Sequence, residues 1–137
     1  MNYFHRTVIR KNNRIDLLFT AADYYERMIE LIRSAQDSIH LQTYIFKNDS
    51  IGKKILDALK EASQRGVKVY LLVDQMGSLH LVDHEKDLQS HNFFFRFFGK
   101  FRWLFFLKKK YYLGRRLHHK ILLVDQEKAL VSGINSE

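Results

Sequence analysis

Ser38-Ile39-His40-Leu41-Gln42-Thr43-Tyr44-Ile45-Phe46 sets Ile39, Leu41, Thr43 and Ile45 against His40, Gln42 and Tyr44. That period of two is the signature of a pleated strand with unlike faces. Asn48-Asp49-Ser50 follows as a capping cluster, and Ile51, Ile55, Ala58, Leu59 and Ala62 then recur at helical spacing up to Gly66. Val67 to Val73 is apolar and β-branched, a buried strand that closes on the loop Asp74-Gln75-Met76-Gly77-Ser78. Strand, helix and strand in this order predict a right-handed βαβ crossover in a sheet flanked by helices, an α/β fold. Working outward, Arg14 to Phe19 reads as a first strand. Thr20 to Ala35 reads as a helix with Tyr25, Met28, Ile29 and Ile32 on one face. Lys120 to Val124 and Ala129 to Ser132 read as two short strands across a turn at Asp125-Gln126-Glu127.

The chain has 137 residues, the length of one domain. With 46% hydrophobic and 28% charged residues it can bury a core. The absence of cysteine excludes disulfide scaffolds and thiolate metal sites. The absence of proline, with only six glycines, excludes collagen-like and linker compositions. No early apolar run of about 18 residues is present to act as a signal or anchor, so a cytosolic start is expected.

The net charge of +8 is concentrated. Between Leu88 and Val124 there is no acidic residue, while Arg96, Lys100, Arg102, Lys108, Lys109, Lys110, Arg115, Arg116 and Lys120 all fall there. The remainder is nearly neutral, so the partner of this window should be anionic. Eight of the eleven phenylalanines and Trp103 lie between Phe93 and Phe106, interrupted by Arg96, Lys100 and Arg102. If helical, Phe94, Phe97, Phe98, Phe101, Leu104 and Phe105 form one face, the pattern of a helix lying in an anionic lipid interface. Residues 93–110 are thus expected to form a membrane-interfacial insertion, with Phe94, Phe97, Phe98, Phe101 and Trp103 in contact with lipid. Lys108, Lys109 and Lys110 would meet headgroups, at about 1 kcal/mol per basic residue. The competing reading makes Phe93 to Phe98 another core strand, and both readings hold if that strand leads into an interfacial insertion.

The chemistry is carried by His118, Lys120 and Asp125, in the order H-x-K-x4-D, followed by Ser132-Gly133-Ile134-Asn135. On an extended strand, residues two apart share a face, so His118 and Lys120 present an imidazole and an ammonium together. The cation offsets phosphate charge, and a neutral imidazole can attack phosphorus without a metal. Asp125 has the opposite parity and belongs at the strand end or turn. Asn135 can donate an amide hydrogen bond to a phosphate oxygen. The three-residue core would arise by chance in about one chain in a hundred of this size, so the flanking context has to decide.

That context resembles the phospholipase D superfamily, whose signature has the form of His118-His119-Lys120-Ile121-Leu122-Leu123-Val124-Asp125 with a tail like Ser132-Gly133-Ile134-Asn135. Arg14 to Leu18, Leu41-Gln42-Thr43-Tyr44-Ile45-Phe46, Glu61 to Val69 and Asp74 to Ser78 further resemble the segments before the first motif in bacterial cardiolipin synthases. The resemblance implies a mixed sheet sandwiched between helices. It also implies an amino-terminal half, residues 1–137, that stops after its first motif. It implies a phosphatidyltransferase that joins phosphatidylglycerol molecules through a phosphohistidine, with no cofactor. One motif histidine is the nucleophile and the other protonates the leaving alcohol. His118, Lys120 and Asp125 become the catalytic set, and Lys120, Ser132 and Asn135 become phosphate ligands. The expected partners are an anionic phospholipid surface, at the cytoplasmic face of a bacterial membrane, and a second motif-bearing half in cis or from a second copy. Without that half the chain is expected to be inactive. Two departures stand out: Ser132-Gly133 where many members have Gly-Ser or Gly-Gly, and Gln42 where Glu is common.

The alternatives are a nuclease, since a basic aromatic groove also suits single strands, and a non-catalytic lipid-binding half. His118-His119 lacks acidic or thiolate partners at ligand spacing, so no metal is expected. His80, His84 and His91, with Asp83, Glu85 and Asp87, read as a solvated helix. Tyr44 and Phe46 read as core residues, with Tyr44 a lesser candidate for the pocket.

Overall fold

The computed structural model describes residues 11–83, 85–99 and 116–133. Helix α1 (Ala21–Ser34) begins where Thr20 accepts a hydrogen bond from the Asp23 backbone N–H and ends at Ala35. Strand β1 (Ser38–Thr43) follows. Helix α2 (Ser50–Gln64) is capped by the Asp49 carboxylate, which accepts from Ile51 and Gly52 at 3.1 and 2.8 Å. It stops at Gly66, whose φ of +97° is a conformation that suits glycine. Strands β2 (Lys68–Asp74), β3 (Phe93–Phe98), β4 (Ile121–Val124) and β5 (Lys128–Val131) complete the sheet.

The strand order is β3-β2-β1-β4-β5. The first three strands run parallel and β4 and β5 are antiparallel additions, so the sheet is mixed. Ile39, Val69 and Phe93 share one register row, and Leu41, Leu71 and Phe95 the next. With Leu122 and Val124 they are buried on one face beneath Tyr25, Met28 and Ile32 of α1 and Ile55, Leu59 and Ala62 of α2. On the opposite face His40, Tyr70 and Phe94 stack across three strands, with ring centroids 4.5 and 4.9 Å apart. Tyr70 and Phe94 are exposed there, and among the described residues no helix covers them.

Two expectations need correction. Arg14 to Phe19 is not a strand but exposed chain that joins none of the five strands. Phe93 to Phe98 is a strand and not a helix: Phe93, Phe95 and Phe97 point into the core, and Phe94 and Arg96 point out. Phe97 is thereby sealed away from any lipid. Six aromatic-rich residues satisfy either period, and pairing with β2 decided between them. The other residues assigned to the interfacial segment, Phe101, Trp103, Lys108, Lys109 and Lys110, lie outside the described residues, as does His84. Among its described residues, the stretch expected as a solvated helix has one 3-10 turn, Leu79–Leu81, and no α-helix.

Candidate functional site

Because β4 runs antiparallel to β1, its amino end lies beside the carboxyl ends of the parallel strands, with Gln42 paired to Ile121. This edge is the one where open α/β sheets characteristically bind ligands. His118 and Lys120 arrive there on extended chain just before β4. Ser132 follows β5 and donates its backbone N–H to the Lys120 carbonyl at 3.1 Å. The motif and its tail therefore meet through a backbone bond.

His118 is exposed, and its ring stacks on Tyr44 with centroids 5.0 Å apart and planes 15° apart. Stacking limits ring rotation without occupying either imidazole nitrogen. Lys120 is half-buried. Its ammonium donates to the His118 carbonyl at 3.3 Å, and the residue lines a narrow crevice with Tyr24, Met28, Thr43 and Ile55. His119 turns away, its Nδ1 3.3 Å from the Gln42 side-chain oxygen.

The loop after β2 holds this arrangement. Asp74 is completely buried, and its carboxylate accepts from Met76 N–H at 3.0 Å and Leu117 N–H at 3.1 Å. The second bond fixes the residue before His118. Ser78, also buried, accepts from Phe46 N–H at 3.0 Å. Gly77 lies so close to the chain that a Cβ there would stand 2.3 Å from the Tyr44 carbonyl oxygen. Loop and Tyr44 segment thus pack backbone to backbone, which places the ring that supports His118. The sequence places a loop at 74–78, with Gly77-Ser78 more often a turn than a backbone contact to phosphate; the bracing role of Asp74 had one signal, a carboxylate ending the apolar run Val69 to Val73.

Asp125 is not part of this edge. Five residues of extended chain, roughly 17 Å, separate it from Lys120. Its carboxylate accepts backbone N–H bonds from Gln36, Asp37 and Ser38, the last two at 2.8 and 3.0 Å. Its own N–H donates to the Ser38 carbonyl at 2.8 Å. Desolvation alone would raise its pKa, but these three donors and the Lys128 charge outweigh it and hold the pKa below the ordinary value. Asp125 thus stands apart from His118 and Lys120 and ties the β4–β5 turn to the start of β1.

Tyr24 was missed as a site residue because its position also fits the core face of α1. It is 5% exposed, and burial raises its phenol pKa, partly offset by a hydrogen bond with Ser132, while Tyr25 adds to the rise. Asn135 lies outside the described residues. Among the described residues no group of three or more His, Asp or Glu could hold a metal ion.

Residues 28–137 match the family described as "Cardiolipin synthase, PLD-like domain". The cardiolipin synthase of Clostridium perfringens (strain 13 / Type A) is 42% identical over 126 residues, which are 91% of this chain and 26% of that protein. Cardiolipin synthase B of Salmonella typhimurium is 39% identical over 127 residues, 92% of this chain and 30% of that protein. The chain therefore spans less than a third of the length of these curated relatives. Among solved structures, NucT from Helicobacter pylori aligns with a TM-score of 0.63 at 20% identity, over 85% of this chain and 69% of that one. The phospholipase D family member Nuc from Salmonella typhimurium aligns with a TM-score of 0.54 at 19% identity, over 82% and 64%. Both show the fold alone. The sheet, the edge that gathers His118 and Lys120, and the match over residues 28–137 agree on one conclusion: the chain belongs to the cardiolipin synthase type of phospholipase D-like domain.

Proposed function

We propose that this domain supplies one half of a phosphatidyltransferase site, in which a phosphatidyl group passes between phosphatidylglycerol molecules through a phosphohistidine. The observation that carries the reading is the solvent-facing His118 ring, braced by Tyr44, next to Lys120 at the ligand-binding edge of the sheet. In the first step an imidazole nitrogen attacks phosphorus, the P–O bond to the leaving alcohol breaks, and a second histidine delivers the proton to that alcohol. In the second step an acceptor hydroxyl loses its proton to the second histidine and displaces the phosphorylated one. His118 serves as nucleophile or as general acid. Lys120, with Ser132 and Asn135, holds phosphate oxygens as charge redistributes in the transition state. The second histidine comes from another motif-bearing half, in a longer chain or in a second copy. The protein works peripherally at the cytoplasmic face of a bacterial membrane, and its basic aromatic segment contacts anionic lipid.

The test is cardiolipin formation from phosphatidylglycerol vesicles by a chain that carries this domain together with a second motif. His118→Ala should lower turnover at least about 1,000-fold, and the 137-residue chain alone should form no product. Unchanged turnover in the variant would remove His118 from the chemistry. Cleavage of single-stranded DNA with no lipid transfer would favour the nuclease reading instead.

A further inference from the structure

Tyr44 stands just past the end of β1, where the chain bends, and its backbone is pinned from both sides. Before it, the buried Thr43 hydroxyl donates across Tyr44 to the Ile45 carbonyl at 3.0 Å. After it, the Phe46 N–H donates to the hydroxyl of Ser78, which is wholly buried, at 3.0 Å. The Tyr44 carbonyl itself meets Gly77 so closely that a Cβ there would not fit. A residue outside helix and strand is thus fixed at three points, yet its ring is only half-buried and stacks on the exposed His118 imidazole. Core packing does not account for this, since Phe46 joins the core cluster and Tyr44 does not.

We propose that Tyr44 is a positioning residue for His118: its ring selects the plane of the imidazole, and so the direction in which the reacting nitrogen points. This deepens, and rests on, the reading of His118 as a histidine of the phosphatidyl-transfer site. The lone pair or proton of an imidazole nitrogen lies in the ring plane, so the plane sets the line of attack or of proton delivery. In an unrestrained histidine the torsion that turns the ring is broad. Asp74 restrains the backbone, through the Leu117 N–H at 3.1 Å, and leaves that torsion open. Tyr44 supplies the missing restraint by a face contact, planes 15° apart, that engages neither nitrogen. A tyrosine face also attracts a cation, so the stack persists when the imidazole carries positive charge, protonated or bonded to phosphorus. Both restraints start from the loop 74–78: Asp74 holds the backbone before His118, while Gly77 and Ser78 hold the Tyr44 segment.

The experiment follows cardiolipin formation from phosphatidylglycerol vesicles by a chain that carries this domain and a second motif, with kcat and KM separated. Tyr44→Leu keeps apolar bulk and removes the ring, and should lower kcat about 10- to 100-fold with KM changed by less than about twofold. Tyr44→Phe keeps the ring and should retain kcat to within about threefold. Ile32→Val, in the core and outside the crevice at Lys120, should lower the melting temperature and leave kcat unchanged, which separates positioning from loss of stability. The stack itself is read by NMR on the 137-residue chain. There the His118 ring protons should be shielded by the Tyr44 ring current, and Tyr44→Leu should remove that shielding. Unshielded His118 protons in the wild type overturn the proposal whether or not the variants fold. So do wild-type turnover in Tyr44→Leu, equal losses in Tyr44→Phe and Tyr44→Leu, and a loss carried by KM alone. If His118→Ala also turns over like the wild type, the reading of the site itself falls; if His118→Ala is inactive, only the role of Tyr44 falls.

Discussion

A carboxylate in a sequence motif is commonly credited with chemistry, and Asp125 shows how a different role looks in space. It accepts from three successive backbone amides at the start of β1 and returns one bond through its own N–H. These amides follow the end of α1 and have no helical partner, so the clamp resembles a cap supplied from a distant strand. Because its folded pKa lies below the unfolded one, near 3.9, its stabilisation is present above that value and is lost as pH falls through the folded pKa. Thermal melts between pH 7 and pH 3 should therefore show a loss in the wild type that is reduced in Asp125→Asn, which is less stable at pH 7. Equal slopes for the two proteins would show that the clamp does not depend on charge. Asp74 uses the same chemistry at the other edge, fully buried, and there the gain is the placement of Leu117 and hence of His118.

Among the elements, β3 is the one whose identity the pattern left open. Its neighbours settle it: Phe95 pairs with Leu71 and is wholly buried, whereas Phe94 pairs with Tyr70 and is 39% exposed. A helix lying on lipid would expose Phe94 and Phe97 together; the strand separates them. Phe95→Ala should cost about 3–5 kcal/mol in chemical denaturation, as for other buried phenylalanines. Phe94→Ala should cost about 1 kcal/mol or less, the worth of a cross-strand aromatic pair. Similar losses at both positions would contradict the strand. α1 and α2 present no such ambiguity, since each has its cap, its apolar stripe and its stop written locally: Thr20 for α1, and Asp49 and Gly66 for α2.

Across the whole molecule, a nearly neutral α/β body carries one basic segment, and the site edge lies within reach of it along the chain from Arg116 to Lys120. Binding to an anionic surface should accordingly be electrostatic. Sedimentation with phosphatidylglycerol vesicles should show association at low ionic strength that is largely lost near 0.5 M salt, where the Debye length falls to a few ångströms, and none with neutral phosphatidylcholine vesicles. Salt-independent binding would point to apolar insertion in its place. Among the described residues no helix is long and apolar enough to cross a membrane.

By itself the sequence determined whatever depends on near neighbours along the chain. Alternation in Ser38 to Thr43, the cap at Asp49 and the stop at Gly66 each follow from side chains acting within a few residues, so the βαβ unit was legible. So were the motif and its basic surroundings, since spacing and charge are properties of the chain. The tertiary structure decided what depends on residues far apart. It paired Phe93 to Phe98 with β2, left Arg14 to Phe19 outside the sheet and sent Asp125 to the edge opposite His118. It also brought Tyr24, Tyr44, Asp74 and Ser132 to the motif edge. The reason is that an antiparallel β4 reverses which of its ends meets the parallel strands, and that direction is settled only when β4 pairs with β1.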